Sequence, residues 1–92
     1  MKSSIRDMAS KYKVTVRPDV DALINGMPAP QKDKAVNFVN DLADYPAVLG
    51  RWDIEKIRGR PNTYRTRIGR YRFLFVVDKI NRAIEVAYAE FK

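Results

Sequence analysis

The sequence contains no cysteine and no histidine. The first absence rules out disulfides and thiolate chemistry. The second removes the side chain most often used to move protons in catalysis. Together they leave no ligand set for a Cys/His zinc site. No stretch approaches the roughly 18 apolar residues of a membrane-spanning helix, and residues 1–10 lack the apolar core of a signal peptide. A cytoplasmic protein is expected, with no membrane association, metal or cofactor. Negative charge is also scarce: 11 acidic residues face 18 basic ones, for a net charge of +7. Such a balance suits an anionic partner, whether nucleic acid or an acidic protein.

At 92 residues, 46% hydrophobic and 32% charged, the chain has the length and composition of one globular domain spanning 1–92. Residues 1–10 read as a loose polar arm. Residues 11–17 alternate, with Tyr12, Val14 and Val16 on one face, which predicts a half-buried strand. Pro18 suits the first position of a helix, Asp19 and Asp21 complement its dipole, and Gly26 suits its end. A second helix is expected from Pro30, burying Ala35, Phe38, Val39, Leu42 and Ala43 and ending at Tyr45-Pro46. Val48-Leu49-Gly50 then leads into a short strand over 51–58, and a turn over 59–62 precedes a hairpin. The last strand covers 83–91, with Ile84, Val86 and Tyr88 facing one way. The fold class is therefore α+β, of β-α-α-β-β-β type. A two-helix hairpin packs on one face of a twisted, mainly antiparallel sheet.

The hairpin organises the rest. Gly69-Arg70 fits a type II′ turn, which sets Ile68 opposite Tyr71, Arg67 opposite Arg72, Thr66 opposite Phe73 and Arg65 opposite Leu74. Alternation then divides the side chains. One face carries Tyr64, Thr66, Ile68, Tyr71, Phe73, Phe75 and Val77, and the helices need this face as core. The other carries Arg65, Arg67 and Arg72 with Leu74 and Val76, and is left open. Like charges set directly opposite each other destabilise a sheet, so the Arg67/Arg72 pair points to an anionic ligand. Asp53 and Glu55 share a strand face and suit salt bridges to neighbouring arginines. Trp52 suits the seam between helix and sheet.

The segment from Ile57-Arg58-Gly59 through Tyr64-Arg65-Thr66-Arg67-Ile68-Gly69 to Tyr71-Arg72-Phe73-Leu74-Phe75 resembles the hairpin motif of the RelE/ParE toxin superfamily. The β-α-α-β-β-β order resembles it over nearly the whole chain. The resemblance implies the toxin of a type II toxin–antitoxin system, an endoribonuclease that cuts messenger RNA in the ribosomal A site. It implies catalytic roles for Arg65, Arg67 and Arg72, with Lys92 standing in for a late basic residue. Lys56, Arg58, Arg60 and Arg70 become RNA contacts. The expected partners are mRNA, the ribosome and an acidic, partly disordered antitoxin. The gyrase inhibitors of the superfamily share this hairpin and form the alternative branch. A third alternative is a weakened toxin that keeps only binding, because a basic and tyrosine-containing C-terminal tail is short or missing after Phe91. Without histidine, catalysis would rest on holding the RNA and stabilising the charge of its transition state, which protonated arginines can do.

Overall fold

The structure, a computed structural model, describes residues 11–92. The arm expected at residues 1–10 lies outside the described residues. Strand β1 (Lys13–Val16) follows the alternation of its sequence: Val14 and Val16 are half-buried, Lys13 and Thr15 exposed. Helix α1 (Pro18–Asn25) begins on its proline, carries Asp19 and Asp21 in its first turn, and buries Val20 and Ile24. Helix α2 (Ala29–Asp41) starts one residue before Pro30 and buries Ala35 and Phe38. Proline is tolerated there because the first-turn N–H groups have no helical acceptor.

Two features between α2 and the sheet depart from the sequence expectation. The helix tightens into a 3-10 turn over Leu42–Asp44 before Tyr45, whose extended backbone is what a following proline demands. A second 3-10 turn, Ala47–Gly50, replaces the expected lead-in to a strand and buries Val48. Four residues are too few for a helical period to show in sequence. Strand β2 is correspondingly short, only Ile54–Lys56 rather than 51–58.

Strands β3 (Thr63–Ile68), β4 (Tyr71–Asp78) and β5 (Ala83–Phe91) form the meander. The sheet order is β1-β5-β4-β3-β2, with β1 parallel to β5 and the other pairs antiparallel. Since β1 and β2 occupy opposite edges, the two helices carry the chain from one edge to the other across a single face. That leaves the second face open. The core lies between helices and sheet, where Phe38 packs against Trp52, Phe73 and Phe75 at ring separations of 5.5, 6.3 and 5.8 Å. Trp52 sits at the seam and donates its indole N–H to Asp41 Oδ2 at 2.9 Å.

The β3–β4 register matches the expected one, including Arg67 opposite Arg72. Gly69 has φ +60°, whereas Arg70 is not in the left-handed region, as a type II′ turn requires. One expectation for β5 fails. Phe75 pairs with Val86 but Leu74 pairs with Tyr88, so Ala87 is an extra residue, a β-bulge. Ile84 and Val86 face the core, but beyond the bulge Tyr88 shares the face of Leu74, and Ala89 returns to the core side opposite Phe73.

Candidate nucleic-acid interface

Alternation along β3 and β4 carries Arg65, Arg67 and Arg72 onto the open face, because their neighbours Thr66, Ile68 and Phe73 are needed in the core. The three arginines, Asp53, Glu55 and Thr66 line a shallow depression of about 110 Å³. The acids come from the β2 edge. Glu55 lies opposite Arg65 in the sheet register, and Arg65 Nη2 meets its Oε1 at 2.5 Å. This hydrogen bond, reinforced by the charges of Arg65 and, more weakly, Arg67 and Arg72, holds the Glu55 carboxyl below the usual carboxylate range. Arg67 Nη2 lies 3.6 Å from Asp53 Oδ2. The Asp53 carbonyl also accepts from Thr66 Oγ1 at 2.8 Å, which ties the start of β2 to β3. The salt bridges expected for these two acids are therefore present.

This changes the electrostatics of the hairpin. The repulsion between Arg67 and Arg72 is relieved in part from within the chain and does not require an external anion. Arg72 differs from the other two: among the described residues it forms no ion pair. Its β5 neighbour in the register is Glu90, whose Oε1 accepts from the Tyr88 hydroxyl at 3.3 Å. The depression therefore holds two engaged arginines, one available arginine and a net positive charge.

The other basic residues fall into two groups. Arg70 and Lys92 come together at the hairpin end, where the Lys92 N–H donates to the Arg70 carbonyl at 2.7 Å. The Arg70 guanidinium lies 5.5 Å from the centre of the Phe91 ring. This end adjoins Arg72, since Tyr71 pairs with Phe91 and Arg72 with Glu90. Lys56, Arg58 and Arg60 are separate. Arg58 and Arg60 lie in the β2–β3 loop, at the opposite end of β3 from the Gly69 turn, and line a wide depression with Lys56 and Pro61. Lys56 lies opposite Tyr64, so it belongs to the helix-side face at the sheet edge rather than to the arginine face. A strand only three residues long leaves its outer positions free of the packing that reveals facing in sequence.

Chemically, guanidinium groups in a depression can bind a phosphate and stabilise added negative charge on it. Asp53 and Glu55 line the depression and are carboxylates able to accept a proton. Arg65 stabilises the ionised form of Glu55 and so makes it a weaker base than an ordinary glutamate. Among the described residues no group of three or more acidic, histidine or cysteine side chains could hold a metal ion, and no helix is long and apolar enough to cross a membrane.

No protein-family model and no curated protein sequence matches the chain. Solved structures do. The RelE toxin in the archaeal RelE–RelB complex from Pyrococcus horikoshii superposes with a TM-score of 0.73 at 23% identity, over 88% of this chain and 94% of that one. The RelBE2 toxin–antitoxin complex of Mycobacterium tuberculosis gives 0.67 at 21% identity, over 89% and 99%. The isolated Escherichia coli RelE toxin gives 0.70 at 13% identity, over 87% and 83%. The fold is that of RelE toxins: two helices on a mixed, mainly antiparallel five-stranded sheet.

Proposed function

We propose that the protein is the toxin of a type II toxin–antitoxin system and cleaves messenger RNA in the ribosomal A site, in the cytoplasm. The observation that carries this is Arg72, which forms no ion pair among the described residues and is set opposite Arg67 in a depression on the open face of a RelE-type sheet. Arg72 and Arg67 hold the scissile phosphate, and Arg65 extends the contact along the strand. The 2′-hydroxyl gives its proton to a carboxylate at the β2 edge, with Asp53, just before the strand, the freer of the two at 3.6 Å from its arginine. Its oxygen bonds to phosphorus, and the bond from phosphorus to the 5′-oxygen breaks. The leaving oxygen takes a proton from Lys92, whose backbone N–H is bonded to the Arg70 carbonyl at the hairpin end. The arginines act on the transition state, where the phosphoryl oxygens carry most charge. No step uses histidine, a metal or a cofactor.

The partner in the resting cell is an acidic antitoxin segment. A +7 chain attracts such a segment quickly and loses that attraction as salt rises. Expression of the protein tests the function. Arrested growth with transcripts cut inside codons is the expected outcome. Intact transcripts with blocked DNA supercoiling would transfer the protein to the gyrase-inhibitor branch.

A further inference from the structure

Thr66 is a polar residue that the fold buries almost completely, leaving it 1% exposed. It stands opposite Phe73 on β4 and Ile54 on β2, on the core side of the sheet. A valine there would have the same β-branched shape and no hydroxyl to satisfy on burial. The hydroxyl reaches beyond its own strand for a partner and donates to the Asp53 carbonyl at 2.8 Å. Thr63, the other buried polar residue of β3, donates instead to the carbonyl of Pro61, two residues back. The Asp53 carbonyl also receives the Arg67 N–H, but at 3.4 Å, beyond the usual range of such a bond. Thr66 therefore makes the shorter of the two bonds that tie the Asp53 carbonyl to β3. On its other side Asp53 follows Trp52, which is anchored by its indole bond to Asp41 and by its contact with Phe38. Asp53 itself lies outside β2, and its side chain is 69% exposed, with Arg67 at 3.6 Å. An ion pair so exposed and so long does little to hold a side chain. The backbone bonds set where that carboxylate lies.

We infer that Thr66 is a positioning residue: its hydroxyl fixes the Asp53 backbone and so holds the Asp53 carboxylate beside Arg67, where it takes the 2′-hydroxyl proton of the RNA. This rests on the RNA-cleaving reading and on Asp53 as its proton acceptor, and adds the group that keeps the acceptor in place. The Thr66 side chain is buried, so it acts through Asp53 and not on the RNA. Rate depends steeply on such placement, and a displacement of about 1 Å can cost a hundredfold. Affinity depends on it far less, because the arginines supply the contacts to phosphate. The Thr66 bond is therefore felt in the chemical step and not in binding.

The test measures kcat and KM for cleavage of ribosome-bound mRNA by wild type, Thr66→Val, Thr66→Ser, Asp53→Asn and the double variant Thr66→Val/Asp53→Asn. Thr66→Val keeps the shape and loses the donor. Its kcat is expected to fall roughly ten- to a hundredfold with KM unchanged, and Thr66→Ser should keep most of the wild-type rate. In the Asp53→Asn background Thr66→Val should cost nothing further, since its route to the reaction is gone. Denaturant midpoints check folding. Thr66→Ala against Thr66→Ser, which differ only in the hydroxyl, repeats the comparison if valine unsettles the fold. A wild-type kcat in Thr66→Val, or an equal fall with and without Asp53, refutes the positioning role. A wild-type kcat in Asp53→Asn removes the proton acceptor and this inference with it, while RNA cleavage by the arginine face stands. No cleavage by the wild-type protein overturns the RNA-cleaving reading itself, and the inference falls with it.

Discussion

Replacing Asp53 by Asn and Glu55 by Gln together frees the two engaged arginines without changing side-chain size. Both carboxylates and Arg67 are largely exposed, and Arg65 is partly so. Exposed pairs of this kind contribute little to stability, because solvent screens them, so the variant should melt close to wild type. The effect belongs in ligand binding. Removing two negative charges takes the net charge from +7 to +9. An anionic strand no longer has to displace two carboxylates, and binding should tighten roughly two- to thirtyfold. If Arg65 and Arg67 each neutralise one more phosphate of a single strand, the slope of log K against log salt steepens by about 1.4. Anisotropy titrations of an oligoribonucleotide at several salt concentrations measure both quantities. If a β2 carboxylate also takes the 2′-hydroxyl proton, cleavage slows in the same variant while binding tightens. Weaker binding with an unchanged slope would mean the opposite, that the acids position the arginines for the ligand instead of occupying them.

Phe38→Ala removes a fully buried ring that touches Trp52, Phe73 and Phe75. It should cost about 3–5 kcal/mol, a large share of a small domain's stability, seen as a lower denaturant midpoint. Gly69→Ala places a side chain at φ +60° and a methyl 3.3 Å from Gln31 Cγ. A loss of about 1–2 kcal/mol is expected, again in the midpoint, with arginine-face chemistry otherwise intact. The carboxyls of Asp44, Glu55 and Asp78 are held low by hydrogen bonds from Arg51, Arg65 and Asn81, respectively. A depressed folded-state pKa gives stability that is present at neutral pH and lost as pH falls through that value, so acid titration should lower the melting temperature below the usual carboxylate range. Burial, with the Tyr64 hydroxyl beside it, pushes Tyr45 up to about 12. That contribution is full below pH 10 and disappears as pH rises through 12, which absorbance of the tyrosinate should follow.

The hairpin was legible in sequence because two independent constraints agree. Gly69 fixes the turn, and the need to bury Phe73 and Phe75 fixes the facing. Register and arginine face follow from these alone. What sequence did not disclose was set by tertiary packing. The 3-10 turn that buries Val48 is shorter than any helical period. Lys56 sits on a three-residue edge strand whose facing no apolar pattern marks. The bulge inserts Ala87 between residues that otherwise alternate, so Ile84, Val86 and Tyr88 looked like one face when the chain changes phase after Val86. The acids Asp53 and Glu55 were legible as ion-pair partners. Their position in the depression depends on β2 lying beside β3, at the edge of the sheet, which the sequence order alone does not determine.

The most direct test is a reconstituted translation reaction, with ribosomes stalled on a defined mRNA and its ends mapped after adding the protein or its Arg65→Ala/Arg67→Ala/Arg72→Ala variant. Cuts at the A-site codon are expected with wild type, at least a hundredfold fewer with the folded variant, on the order of the loss from removing charge stabilisation of a transition state, and none without ribosomes. Equal cleavage by both proteins, or intact mRNA with wild type, would contradict this expectation.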